Sequence, residues 1–502
     1  MLHSAQQGGV CNVKDAQLFR PSILRDRVLR CCALLLLLGA RAHAQTVEQV
    51  QRMVDGGHFQ SAEAQIDRAL ARPALSEVDR RAFTYERERM RRILLDFKLS
   101  ADDAQARLRK QIPDLKPAEF AAWDAAGLLE HKVIDGRTLY FNRAPSNLFR
   151  LSADAVKRRS ATTPPWTDGP NESANAHHRE VRDAALQTGK HSVAPRRVRV
   201  TYSVIVNADA VPNGETIRAW LPFPRALPGQ QEDLQLVESK PAQHQVAPES
   251  ALQRTVYLEQ AAQAGSPTRF SITYELTVYG QFHVLDAAKV KATPRTPDLA
   301  PFVAERPPHI VFTHDIREFS RAIVGEERNP YRITQKLFAA VDRIPWAGAR
   351  EYSTITNISD YALHAGHADC GQQTLLLMTL LRLNGIPTRW QSGWVFADDK
   401  YDYDNMHDWA QVYLAPYGWV PMDVTFGRLT SDDPQIAGFY LGGLDAYRLA
   451  FNDDFSQPFV PLKQHFRSDN VDSQRGEVEW RGGNLYFDQW DYEFKAHVLS
   501  RQ

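Results

Sequence analysis

Cysteine is scarce in this chain: four among 502 residues, at positions 11, 31, 32 and 370. A disulfide-framed fold is therefore excluded. No sign of charge prevails, because 60 Lys and Arg balance 60 Asp and Glu. The basic excess that favours nucleic acid or an anionic membrane surface is missing. Long hydrophobic runs are missing as well. The segment Cys31–Gly39 holds nine residues, against about 20 needed to cross a bilayer, and no other stretch is long and apolar enough, so no transmembrane segment is expected. What is present suffices for real cores: 43% hydrophobic and 10% aromatic residues. At this length one ordinary core is too few, and two to four domains are expected.

The N-terminus reads as an export signal. Arg20, Arg25, Arg27 and Arg30 form a positive region, Cys31–Gly39 an apolar one, and Ala42-His43-Ala44 a small-x-small cleavage site with Gln45 as the mature start. The positive region is long, which suggests a translation start near Val28. A periplasmic or secreted protein follows. Cleavage after Ala44 removes three of the four cysteines and leaves Cys370 alone in an oxidising compartment. A lone cysteine there is a free reactive thiol, an intermolecular link, or an inert buried residue.

Taken in order, residues 1–44 are the signal peptide and 45–158 a helical accessory domain. Val47, Val50, Met53 and Val54, then Ala62, Ile66, Ala69 and Leu70, give two amphipathic helices around a turn at Gly56-Gly57-His58-Phe59. A long helix is expected from Leu75 to about Phe97. Two short helices and a hairpin at Val133–Tyr140, turning on Asp135-Gly136, follow. This is also the layout of a winged helix, but without a basic face it reads as structural. Residues 159–195, rich in Ser, Thr, Pro, Asn and His, read as a linker, part of it ordered against a neighbour. Residues 196–290 alternate apolar and polar, as in Val198-x-Val200-x-Tyr202-x-Val204 and Ile272-x-Tyr274-x-Leu276, and predict a β-sandwich. Residues 291–430 mix helix and strand, with helices at Ile316–Val324 and Pro330–Val341. Residues 431–502 read as an extension packed on that core.

The chemistry concentrates between Cys370 and Asp423. Cys370 precedes a nearly all-apolar helix through Leu383, with Asp369 as its cap. A thiol at a helix N-terminus is favoured as thiolate, and the first-turn N–H groups can receive an oxyanion. His407 and Asp423 lie on two alternating segments joined near Ala415-Pro416-Tyr417-Gly418. A loop of odd length centred on Ala415 puts them opposite each other on one face. The carboxylate would then fix the imidazole tautomer beside the thiol. Asp408, next to the histidine, is an acidic neighbour able to alter its pKa. Asp398, Asp399, Asp402 and Asp404 cluster before His407. They lack a glycine-turned cation loop and read as a solvated loop. No cofactor or metal site is expected.

Several fixed-order parts carry a resemblance: Asp369-Cys370, the helix to Arg382, Gly385-Ile386-Pro387-Thr388-Arg389, Gly393, His407-x-Trp409, and Gly418-Trp419-Val420-Pro421-x-Asp423-x-Thr425. The segment from about Pro330 to Thr425 resembles the transglutaminase-like superfamily, which is papain-like in fold. Papain itself fits worse, since its histidine lies further downstream and its third residue is Asn. Joined to the readings above, the resemblance gives a multidomain α+β protein: helical N-terminal region, β-sandwich, papain-like transglutaminase core at 291–430, and β-rich C-terminal extension. It implies Cys370, His407 and Asp423 as the catalytic set. It implies an exported enzyme acting on peptide or glutamine amides through a thioester, by hydrolysis or acyl transfer to an amine. Its substrate would be a protein or peptide, such as a peptide of the cell envelope. Relatives often hold the oxyanion with an indole or amide upstream of the cysteine, for which Trp346 and Tyr352 are the candidates. The alternative is a non-catalytic envelope binding or scaffold protein on the same fold.

Overall fold

A computed structural model describes residues 46–160, 168–401 and 403–501. The segment read as a signal peptide, with Cys11, Cys31 and Cys32, lies outside the described residues, as does Asp402. The chain divides into two compact units, up to Arg87 and from Glu88 onward.

In the first unit, helix α1 (residues 46–55) and α2 (Phe59–Leu70) flank the Gly56-Gly57 turn, where Gly57 takes a positive φ of 79°. Val50, Val54, Phe59 and Ile66 are buried, as the periodicity requires. Helix α3 (Glu77–Asp96) begins in this unit.

The second unit continues with β1 (Phe97–Leu99), α4 (Ala101–Arg109), α5 (Pro117–Ala125), β2 (His131–Ile134) and β3 (Arg137–Phe141). These strands form a small sheet in the order β1-β3-β2. Asp135 and Gly136 both take positive φ, 46° and 79°, as a tight hairpin turn demands. Helices α6 (Ala144–Leu151) and α7 (Ala153–Arg158) follow. The stretch read as a linker includes a 13-residue helix, α8 (Ala176–Thr188), capped by Asn175.

Two five-stranded sheets come next. Strands β4 (Ser192–Val206), β6 (Gln231–Lys240) and β9 (Thr268–Phe282) belong to one sheet; β5 (Thr216–Pro222), β7 (Gln245–Val246) and β8 (Thr255–Ala261) belong to the other. Their inward residues Val198, Val200, Tyr202, Ile217, Leu221, Val256, Ile272 and Tyr274 share one core, the expected sandwich alternation.

Helices α9 (His314–Val324), α10 (Pro330–Asp342), α11 (Ile358–His364) and α12 (Cys370–Leu383) lead into β10 (Thr388–Phe396), β11 (Asp404–Leu414) and β12 (Gly418–Met422). After α13 (Pro434–Ala437) come β13 (Gly443–Leu444) and β14 (Arg448–Asn452). An antiparallel sheet in the order β12-β11-β10-β14 results. Helix α12 is buried along Cys370–Arg382. Its leucines share a core with Trp390, Ala410, Val412, Leu414 and Met422 on one face of this sheet. Trp409, Val395 and Ala450 join a second core with Val181 and Ala185 of α8.

Residues 431–502 do not form a separate layer on that core. β13 pairs with β9, and β17 (Trp490–Arg501) pairs with β4 along most of its length. β15 (Glu477–Trp480) joins β5, and β16 (Gly483–Leu485) joins β15. The C-terminal strands complete both sheets of the sandwich. The physical reason is unpaired edges: β4 and β5 each need a partner on their open side.

Candidate active site

Cys370 is the first residue of α12. Asp369 caps the helix: its Oδ1 accepts the Gln372 N–H at 3.0 Å, and Gln372 Oε1 accepts the Asp369 N–H at 3.1 Å. The next residue has no room for a side chain. A Cβ at Gly371 would stand 2.1 Å from the Tyr352 hydroxyl and 2.9 Å from Asp408 Oδ2.

The helix terminus was expected to lower the thiol pKa. Its surroundings oppose that. Burial, then the Asp408 and Asp369 carboxyls, push the Cys370 thiol well above its ordinary value. The dipole acts on a thiol that is 9% exposed, and desolvation outweighs it.

His407 sits on β11, paired with Gly393 of β10. A Cβ at Gly393 would meet Leu449 O at 1.8 Å, so only glycine lets β14 close against β10 beside the histidine. His407 Nε2 and Asp423 Oδ2 are 2.7 Å apart. Their register differs from the expected one. The β11–β12 pairs, Ala410 with Met422 through Leu414 with Gly418, centre on Pro416 rather than Ala415. His407 and Asp423 are consequently diagonal neighbours on one face, within reach because both side chains are buried and directed together. His407 stacks on Phe426 with ring centroids 4.4 Å apart.

Arg448 of β14 completes this side. Its Nη1 donates to Asp423 Oδ2 at 2.9 Å and its Nη2 to Asp445 Oδ2 at 2.5 Å. Burial raises the Asp423 carboxyl, but the charges and hydrogen bonds of His407 and Arg448 outweigh it and leave Asp423 below the usual carboxylate range. Among the described residues, His407 Nδ1 has no hydrogen-bond partner, so it is the ring nitrogen available for proton exchange.

The opposite face of β11 carries Asp408. The Cys370 thiol donates to Asp408 Oδ2 at 3.1 Å, and no hydrogen bond joins it to His407. Gln474 Nε2 donates to Asp408 Oδ1 at 3.0 Å, to His407 O at 2.8 Å and to Gly393 O at 3.1 Å. The buried Asp472 carboxyl acts on Asp408 and raises it. The Tyr352 hydroxyl donates to Asp369 at 2.9 Å and lies 3.5 Å from Asp408 Oδ2. Burial, reinforced by Asp472 and Asp369, holds the Asp408 carboxyl well above its ordinary pKa. Burial likewise raises Asp369 to about 6.

Cys370, His407 and Asp408 line one cavity of about 440 Å³, together with Tyr352, Trp346 and Arg143. Both oxyanion candidates thus reach it, Trp346 lying under the Arg150 guanidinium at 4.1 Å. Asp423 stands behind His407 and is fully buried. Sequence reasoning missed Tyr352 as a partner of Asp369, and it missed Arg448, Asp472 and Gln474. The last three lie on a stretch with no local motif, so no spacing signal points to them. Asp398 accepts the Tyr447 hydroxyl at 2.9 Å and pairs with Arg501 at 2.6 Å. Among the described residues no group of three or more His, Cys, Asp or Glu is placed to hold a metal ion, and no helix is long and apolar enough to cross a membrane.

A thiol at a helix start and a carboxylate-held imidazole line the same cavity. Residues 317–424 match the family model described as the transglutaminase-like superfamily, and the chain carries a transglutaminase-like domain over that range. Among solved structures, it is similar to a provisionally named cysteine protease from Cytophaga hutchinsonii, with 14% identity over 62% of this chain and 93% of that one, at a TM-score of 0.41. It is also similar to the periplasmic domain of TgpA from Pseudomonas aeruginosa, at 12% identity over 47% of this chain and 94% of that one, with a TM-score of 0.26. No curated protein matches the chain in sequence.

Proposed function

We propose that this is an exported cysteine-dependent enzyme acting on amide bonds, with Cys370 as nucleophile, His407 as acid and base, and Asp423 as the group that orients the imidazole. The observation that carries the reading is the shared cavity, in which a buried helix-terminal thiol faces the same space as an imidazole fixed through Nε2. Cys370 attacks the carbonyl carbon of a peptide bond or glutamine side chain. His407 Nδ1 protonates the leaving amine, and a thioester remains. Water then gives hydrolysis, as in a peptidase or amidase, while an amine gives transglutaminase-type transfer. A protein or peptide of the cell envelope is the substrate class consistent with export at the N-terminal signal.

Casein with dansylcadaverine tests transfer, and a quenched-fluorescence peptide library tests cleavage. Either activity, present in the full chain and lost in both Cys370→Ala and His407→Ala, supports the reading. Activity that survives Cys370→Ala would overturn it. One observation favours a second reading, a binding or scaffold protein: the thiol is hydrogen-bonded to Asp408 and not to His407. That reading predicts no turnover with either probe and unchanged ligand capture in Cys370→Ala.

A further inference from the structure

Part of the cavity wall comes from outside the family-matched residues 317–424. Helix α6 brings Arg143, its N-cap residue, and Arg150 to the space that Cys370 and His407 line. Arg143, Asn147 and Arg150 stand at i, i+4 and i+7, on one face of a helix. Asn147 docks that face: its Nδ2 donates to Gly348 O at 2.9 Å, and its Oδ1 accepts the Gly348 N–H at 3.0 Å. A Cβ at Gly348 would stand 3.0 Å from Arg143 Cδ and 3.2 Å from its Nη1, so the arginine side chain lies directly against this backbone.

The arginines of the cavity are not equivalent. Arg475 is paired with Glu351. Arg350 lies 3.7 Å from Glu130 and against the Phe97 and Tyr361 rings. Arg150 lies over the Trp346 indole at 4.1 Å and faces Asp168 and Glu172. Arg143 is exposed, and among the described residues its guanidinium makes no hydrogen bond or ion pair. Its field reaches Glu351 and Asp369, the residue before Cys370. Both carboxyls already have closer partners: Arg475 for Glu351, and the Gln372 N–H and Tyr352 hydroxyl for Asp369. Burial raises the Asp408 and Asp469 carboxyls beside the thiol, so they bring little negative charge. The Arg143 side of the cavity therefore presents a positive charge without a counterion.

We propose that Arg143 binds a carboxylate of the substrate, so that the site takes acidic peptides whose anionic group lies on a residue next to the attacked amide. This rests on the reading of Cys370 as nucleophile. At about 440 Å³ the cavity holds only a short peptide segment, and Arg143 and Cys370 share it. A group held by Arg143 thus belongs to a neighbour of the bond that Cys370 attacks. The guanidinium fork matches a carboxylate with two parallel hydrogen bonds. Asp168 and Glu172, which stand by Arg150, repel an anion and set its direction: the acidic residue lies on the Arg143 side.

The test is binding to the full chain carrying Cys370→Ala, which keeps the cavity without turnover. Rhodamine-labelled, end-blocked peptides with Glu-Gln-Glu, Ala-Gln-Ala or Lys-Gln-Lys at their centre are compared by fluorescence anisotropy at low salt. The Glu peptide should bind about tenfold tighter than the Ala peptide, and the Lys peptide should bind most weakly. Arg143→Ala should bring the Glu-to-Ala ratio towards one, Arg143→Lys should keep part of it, and Arg143→Glu should reverse the order in favour of Lys. Equal binding of the three peptides, or a preference for Glu that survives Arg143→Ala, overturns the proposal.

Should no peptide bind measurably, smaller probes decide. In the full chain with Cys11, Cys31 and Cys32 changed to Ser, only Cys370 reports thiol labelling. The rate ratio of iodoacetate to iodoacetamide compares an anion with its neutral counterpart, and the reactivity of the thiol itself cancels. That ratio should fall about threefold or more in Arg143→Ala, and an unchanged ratio overturns the proposal. Failure of the nucleophile reading is separate, since it appears as amide activity surviving Cys370→Ala, on which neither measurement depends.

Discussion

Asp423 binds two partners, His407 at 2.7 Å and the Arg448 guanidinium at 2.9 Å, with no exposure to solvent. Asp423→Asn leaves Arg448 paired with Asp445 alone and the imidazole without its carboxylate. We expect a stability loss of about 3 kcal/mol by chemical denaturation, and loss of any Cys370-dependent turnover. Asp469 shows the reverse electrostatics. Burial, then Asp472, raises its pKa to about 8, against about 3.9 in an unfolded chain. The folded state therefore holds this proton more tightly. Its stabilising contribution is complete below the unfolded value and is lost as pH rises through about 8. Denaturation midpoints should fall between pH 5 and pH 8, and Asp469→Asn should flatten that fall. A variant with the parent's slope would show that another buried carboxyl governs it.

The elements that hold the site were readable where one residue pattern decides them. The alternation around His407 and Asp423 fits strands, and the apolar run after Cys370 fits a buried helix; β11, β12 and α12 follow. The register was off by two because the loop centres on Pro416 rather than Ala415, a detail of turn geometry that hydrophobic alternation cannot fix. Helix α8 was not readable as a helix for a different reason. Its buried face includes His177 and His178, which bond Ala446 N at 3.0 Å and the Tyr440 hydroxyl at 2.9 Å, so polar partners replace an apolar stripe. Two glycines give tests at this scale. Gly418 has a φ of 82° with open space around its Cβ position. Gly418→Ala should cost about 1 kcal/mol from the backbone alone, seen as a lower melting temperature with unchanged Cys370 labelling. Gly371→Ala should cost about 1–3 kcal/mol and change labelling as well, because it pushes on Tyr352 and Asp408.

Across the second unit, the sandwich and the sheet that carries His407 share a core. Trp394 of β10 stacks on Phe494 of β17, with centroids 4.4 Å apart and planes 11° from parallel. Its indole N–H donates to Gln474 O at 3.0 Å. Trp394→Ala should cost about 3–5 kcal/mol and disturb Cys370 labelling from the far side of the sheet; unchanged labelling would mean that the two regions act independently. None of this could be read from the sequence, since contacts between residues 80 or more apart leave no local period. The Gln474 amide, which bonds Gly393 O, His407 O and Asp408 at once, also sets an order in time. A ribosome makes Cys370, His407 and Asp423 well before it makes Gln474. Until then Asp408 lacks its amide donor and the two strands lack the clamp across their carbonyls. The surroundings of Cys370 are thus completed only once Gln474 is made, and a chain cut at residue 470 should carry Cys370 with the labelling profile of an ordinary thiol.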